Sequence, residues 1–148
     1  MLSIRYGLFF IILALMSGCT SITVKPVDST LDIKHVCIKD CSEKCFDGRM
    51  LGIIQDGFQR HGITTEVYNG DLPSGCECNL TYYCERTWDM ATYLHHAEFR
   101  LYHSKSQIGS AEYHLRGGGG FALNKWASTK SKIDPVIDEL LSGFQTGD

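Results

Sequence analysis

At 148 residues with 43% hydrophobic side chains, the chain is long enough for one domain with a real core. Its 14 basic and 17 acidic residues give a formal charge of −3, which argues against a nucleic-acid binder, since such proteins present a basic face. The 7 cysteines are many for a chain of this size and point towards an oxidising compartment.

The first segment reads as an export signal. Arg5 and the amino terminus are positive, Gly7 to Met16 is an apolar run, and Ser17 and Gly18 are small. The run is too short to cross a bilayer, which takes ~20 residues of helix. The order positive, apolar, small is that of a secretory signal. Leu15-Met16-Ser17-Gly18-Cys19 ends the signal on a cysteine, as in a bacterial lipoprotein. Residues 1–18 are therefore expected to be removed and Cys19 to carry the lipid. Acyl chains at ~0.8 kcal/mol per buried methylene hold a small domain to a membrane. Thr20, where an Asp would retain such a lipoprotein in the inner membrane, favours the outer one. The expected mature chain has 13 basic and 17 acidic residues.

Residues 19–32 are expected to form the lipidated N-terminus and a tether, with Pro26, Asp28, Ser29 and Thr30 breaking any long element. Ile22 and Val24 alternate with polar residues, which allows a short edge strand. Residues 33–148 are expected to make a single periplasmic domain. Lys34–Ile38 reads as its first strand. Asp47 is placed to cap a helix with Met50, Leu51, Ile54 and Phe58 on one face and Gly62 as its stop. Ile63–Tyr68 has the β-branched and aromatic character of a strand, and residues 69–75 are a loop.

Three alternating runs follow, Cys78–Trp88, Tyr93–His103 and Gln107–Leu115, with connections short enough for hairpins. Gly117–Gly120 lacks the lysine and hydroxyl of a phosphate loop and reads as a hinge or a close backbone approach. Ser131 is expected to cap the last helix with Asp134 three residues on, which puts Pro135 in the first turn. Ile133, Val136, Ile137, Leu140, Leu141 and Phe144 mark its apolar stripe. The expected fold is α+β, a two-layer sandwich. A mixed five-stranded sheet, strand-helix-strand followed by an antiparallel three-strand meander, carries two helices on one face.

Six cysteines follow Cys19: Cys37, Cys41, Cys45, Cys76, Cys78 and Cys84. An even set in an exported chain reads as disulfides, and six thiols allow fifteen full pairings. Cys76 and Cys78 are too close in sequence for an easy direct bridge. Cys37 with Cys76 is the first pairing expected. It closes a loop of about 40 residues worth about 3–4 kcal/mol. Cys84, mid-strand, is the first candidate for a free thiol. The rival metal or redox reading lacks the usual Cys-x2-Cys spacing and the haem-attachment motif.

No catalytic residue set is found. A thiol nucleophile does not suit an exported chain with an even cysteine set, and no Gly-x-Ser-x-Gly elbow occurs. His95-His96 suggests a metal, but neighbours on a strand point to opposite faces. His96 with His114 is the weak metal candidate that remains, against a plain surface of Glu98, Arg100 and Glu112 charge pairs. Trp88, Phe121 and Trp126 are candidates for an exposed aromatic patch.

His35-Val36-Cys37-Ile38, Asp56–Ile63, Gln107–Leu115 and Lys125–Lys130 leading into Asp134–Asp138 read together as one pattern. With these segments the chain resembles a family of small uncharacterised proteobacterial outer-membrane lipoproteins over nearly the whole mature length. The resemblance implies an envelope location and a compact α/β domain and carries over no active site. Cys41, Cys45, Cys78 and Cys84 are more cysteines than it leads one to expect. The expectation is a non-enzymatic interaction module, lipid-anchored at the outer membrane and facing the periplasm. It has no cofactor and no nucleic-acid partner, and an envelope protein is its candidate partner. The alternative is a periplasmic metal- or small-ligand-binding protein.

Overall fold

The computed structural model describes residues 20–45, 47–116 and 123–144. The expected signal segment, Cys19 as the expected site of lipidation, the glycine run Gly117–Gly120 and Phe121 lie outside the described residues. The architecture is α+β, as expected. The strands are β1 (Thr20–Lys25), β2 (His35–Lys39), β3 (Thr64–Tyr68), β4 (Cys78–Asp89), β5 (Ala91–His103) and β6 (Ser106–Leu115). They form one mixed sheet in the order β1-β6-β5-β4-β2-β3. Helices α1 (Ser42–Cys45), α2 (Met50–Arg60) and α3 (Thr129–Leu140) and a short 3-10 turn (Leu123–Trp126) complete the described residues. None of these helices is long and apolar enough to cross a membrane.

The five-strand, two-helix expectation is thus corrected to six and three. The sixth strand comes from the segment expected to be a tether. Thr-Ser-Ile-Thr-Val-Lys is β-branched and alternating, and it covers what would otherwise be a bare edge of β6. It runs antiparallel from Thr20↔Leu115 to Lys25↔Ser110. Beyond it, Val27 and Ile33 are buried, and the Val27 N–H donates to Leu140 O at 2.9 Å. The described residues before β2, from Thr20 onwards, are therefore fixed to the domain.

β2 lies parallel to β3 and β4, and β4, β5 and β6 form the expected antiparallel meander. Met90 alone turns β4 into β5 with φ 60°, and Ser104 and Lys105, φ 48° and 71°, turn β5 into β6. Two consecutive positive φ values match a turn whose twist follows that of the strands. The core lies between one sheet face and the helices. Leu80, Tyr82, Phe99, Leu101 and Tyr113 meet Met50, Ile54 and Phe58 of α2 and Ile133, Val136 and Ile137 of α3. A side chain on Gly57 would come within 2.5 Å of Ile137 Cγ2, so this glycine sets how closely α2 approaches α3.

The stop of α2 is the expected one. Gly62 has φ 73°, Ile63 N–H donates to Phe58 O and Gly62 N–H to Gln59 O, both at 3.0 Å. Its start is not. Arg49 occupies the cap position, and Asp47 is buried in an ion network instead. The last helix starts earlier than expected. Ser128, not Ser131, is the cap and accepts from Ser131 N–H at 3.1 Å. The extra turn is held by Thr129 and Lys132, whose polar ends reach buried partners. Pro135 consequently sits inside the helix. It is exposed, as is Ser131, so water can satisfy the carbonyl that the proline leaves free.

Cys37 bonds to Cys76, the expected pair, and Cys45 bonds to Cys84. Cys84 is therefore not free. Among the described residues the unpaired thiols are those of Cys41 and Cys78. The strand pattern places Cys84 on the helix side of β4, where Cys45 of α1 covers it.

Candidate functional site

The helices cover one face of the sheet and leave the other bare. Register and burial assign Ser21, Thr23 and Lys25 of β1 and Ser110, Glu112 and His114 of β6 to the bare face. His96, Glu98 and Arg100 of β5 and Tyr83 and Glu85 of β4 join them. An open groove lined by Lys25, Glu98, Arg100 and Glu112 crosses β1, β6 and β5. Arg100 pairs with Glu98 at 2.7 Å, so the charge pairing expected of a plain surface is present.

One local irregularity changes what this face can do. The β4–β5 ladder passes from Glu85↔His96 to Arg86↔Leu94, so His95 is an extra residue in β5. Such a bulge breaks the alternation. Leu94 and Ala97 are both buried, and His95 and His96 between them are both partly exposed. Contrary to the alternation expected of a regular strand, the two neighbouring histidines do not diverge to opposite faces. The His95 ring lies 4.8 Å from that of His114, and the His96 ring lies 5.5 Å from it. His96 Nδ1 faces His114 Nδ1 at 3.4 Å. Its other nitrogen donates to Glu98 Oε1 at 3.1 Å, and Glu112 Oε1 is 3.9 Å from Nδ1.

The electrostatics follow from this packing. The hydrogen bond from His96 holds the Glu98 carboxyl below the usual carboxylate range, with burial opposing and the Arg100 charge adding. Burial holds the His95 imidazole below its ordinary value, the charges of His114 and His96 add, and Glu85 opposes. Both candidates from the sequence, His96 and His114, thus lie together. His95 was missed, although the register change was visible. Leu94 breaks parity with the apolar positions 97, 99 and 101, and two histidines fill the gap.

Four other candidate groups are less available. His35, Cys37 and Glu66 hold ligand-type atoms within 4.8 Å of one another, but the Cys37 sulfur is in a disulfide and offers no thiolate. Burial pushes the Cys78 thiol up and the Glu77 charge adds, the opposite of an activated nucleophile. Cys41 is half-buried, and its N–H donates to Tyr82 Oη at 3.3 Å. Asp47 accepts from Arg86 at 2.6 Å, Thr129 at 2.9 Å and both the backbone and side chain of Arg49 at 3.1 Å. Burial alone would raise its carboxyl. The bonds from Thr129 and Arg49 outweigh that and hold it below the usual range.

The aromatic patch is real at two of its three positions, and Phe121 lies outside the described residues. Trp88 is 72% exposed, Met90 84% and Trp126 50%. The Trp126 indole N–H donates to Asp89 O at 3.4 Å, which seats it against the β4–β5 turn. Buried Lys125 pairs with Asp89 and lies over the Tyr93 ring at 4.9 Å. Thr20 is at the same end of the sheet. It pairs with Leu115, one residue past the His114↔His96 rung towards Met90.

No protein-family model matches the chain, and neither does any curated protein. Among solved structures, the PelC dodecamer from Paraburkholderia phytofirmans shares the fold. The TM-score is 0.56 at 12% identity, over 88% of this chain and 100% of that one. A point variant of the same protein in another crystal form gives a TM-score of 0.56 at 12% identity over 85% and 99%. Likeness at this identity establishes the fold alone.

Proposed function

We propose that this chain is a lipid-anchored, non-enzymatic module of the cell envelope. It stands on the periplasmic leaflet of the outer membrane and offers its bare sheet face to a partner. The observation that supports this reading is the shared end of the sheet: Thr20 is one peptide unit, ~3.8 Å, from Cys19, and Trp88, Met90 and Trp126 project from that end. At ~3.3 Å per residue the turn reaches about 15 Å beyond Thr20. Tryptophan rings favour the headgroup level of a bilayer. With β1 paired to β6 at the edge of the sheet there is little slack in the anchor, so a lipid on Cys19 would hold the sheet oblique to the membrane, with Cys19 and the β4–β5 turn both at its surface and the bare face to the side. The resemblance to small outer-membrane lipoproteins agrees with this location. A protein of the same fold was crystallised as a dodecamer, so the partner named first is further copies of this chain.

Cells grown with labelled palmitate are expected to label the wild-type chain and not Cys19→Ala. In vesicles containing brominated lipid, the tryptophan emission of the lipidated protein should be quenched, with Trp88→Phe losing roughly half of the effect or more. Cross-linking in intact envelopes should give adducts at multiples of the chain mass. An unlabelled chain, or emission that brominated lipid leaves unchanged, overturns the anchored orientation. Adducts with one different protein would replace self-assembly by a heterologous partner.

A further inference from the structure

We infer that His95, His96, His114 and Glu112 form a zinc site on the bare face, where the β5–β6 register sets His96 beside His114 and Glu112 and the bulge in β5 adds His95. This stands apart from the membrane reading and does not depend on it. Zinc bonds to imidazole nitrogen are ~2.0–2.1 Å, so two such ligands at a tetrahedral angle stand ~3.3–3.4 Å apart. His96 Nδ1 and His114 Nδ1 are 3.4 Å apart. That is long for a hydrogen bond between two ring nitrogens and matches two ligands of one ion.

The rest of the arrangement is what a metal-ligating histidine requires. Glu98 accepts from His96 Nε2, which fixes the tautomer and leaves the Nδ1 lone pair directed at His114. Arg100 in turn holds Glu98 at 2.7 Å, so the orienting carboxylate is itself oriented and the guanidinium is engaged away from the site. Glu112 Oε1 lies 3.9 Å from His96 Nδ1, and a change of its side-chain rotamer would carry it to the point between the two imidazoles. His95 supplies the fourth group by turning a ring that already lies against His114. Three imidazoles and one carboxylate are a borderline donor set, suited to zinc over magnesium or calcium. Without the bulge His95 would point into the core, and only two histidines would remain.

The full chain, purified in detergent without a histidine tag and stripped with chelator, is to be titrated with zinc chloride against a chromophoric competitor. One zinc per chain with submicromolar affinity is expected, and cobalt in its place should give the visible bands of a tetrahedral ion. His96→Ala and His114→Ala should each weaken binding roughly 100-fold. Glu98→Gln, which touches no metal, should weaken it about 10-fold through orientation. His35→Ala should leave it unchanged. Circular-dichroism melts in chelator show which variants fold, and Glu112→Ala carries the test should a histidine variant fail. Wild-type affinity no better than that of the His96→Ala/His114→Ala pair, or a loss as large in His35→Ala, overturns the site.

Discussion

The helix-covered face and the bare face hold polar groups in opposite ways. Beneath the helices Asp47, Lys125, Thr129 and Lys132 are buried, and each is engaged within the chain. On the bare face the histidine nitrogens meet one another or a single carboxylate, and Glu112 is open to water. Desolvation accounts for the difference. A charge removed from water must be fully paired, and a fully paired group has nothing left for a ligand. Partners should therefore be sought where pairing is incomplete, on the bare face and at the β4–β5 turn.

The largest effect is expected from leaving a charge unpaired on the covered face. Asp47→Ala removes the acceptor of Arg86, whose side chain is only 15% exposed, and of Thr129. A loss of about 3–5 kcal/mol in urea unfolding is expected, the range for one partner of a buried pair. A loss under about 1 kcal/mol would mean that the network is wetter than its geometry implies, and the contrast between the faces would weaken.

The same network marks where the sequence was readable and where it was not. Period-2 alternation placed β4, β5 and β6 to within about two residues, and helical spacing placed α2 and α3, because burial of one face imposes those periods. Gly62 was legible as a stop because its role depends on local backbone alone. Asp47 and Ser131 were misread as caps. Asp47 is claimed by Arg86 and Thr129, 39 and 82 residues away, a preference that no local window contains. β1 was half-legible, because its pattern is that of a strand but its partner lies far along the chain, Thr20 pairing with Leu115 and Lys25 with Ser110. For the candidate site, His96 and His114 were legible as residues on one face. His95 was not, because alternation was assumed to continue through a bulge.

Lys132 is buried under α3 with its ammonium on Lys125 O at 2.7 Å and Leu94 O at 3.4 Å. Burial lowers its pKa from 10.5 to about 8, with the Arg86 charge adding. Below about pH 8 both states hold the proton, and the native state bears the full cost of the buried charge. Between about 8 and 10.5 the native state releases it first, the unfolded chain binds more protons, and stability rises with pH. Tyr82 and Tyr113 act in the other direction. Burial raises both to about 12, so above pH 10 the unfolded chain ionises first and stability falls. Urea midpoints should therefore climb from pH 8 to near pH 10, by an amount equivalent to about 2 kcal/mol or less, and then drop. Cys41 and Cys78 are to be replaced by alanine so that alkaline thiol exchange does not intervene. Lys132→Met should flatten the climb. Parallel profiles for the two proteins would show that the lysine is solvated in the native state.

The smallest effect is expected on the bare face. Arg100 is 53% exposed, and its pair with Glu98 is an ordinary surface ion pair. Arg100→Ala and Glu112→Ala should each change unfolding free energy by no more than about 0.5 kcal/mol. This near-silence is informative because both residues border the histidines. Stability that barely moves while zinc affinity or a cross-linked adduct is lost would separate binding from folding at these positions. A loss of 2 kcal/mol or more from either would instead show that charges on this face help to hold the sheet together. The bare face would then need the same full pairing as the covered one, and the search for a ligand would move to the Trp88–Met90 turn.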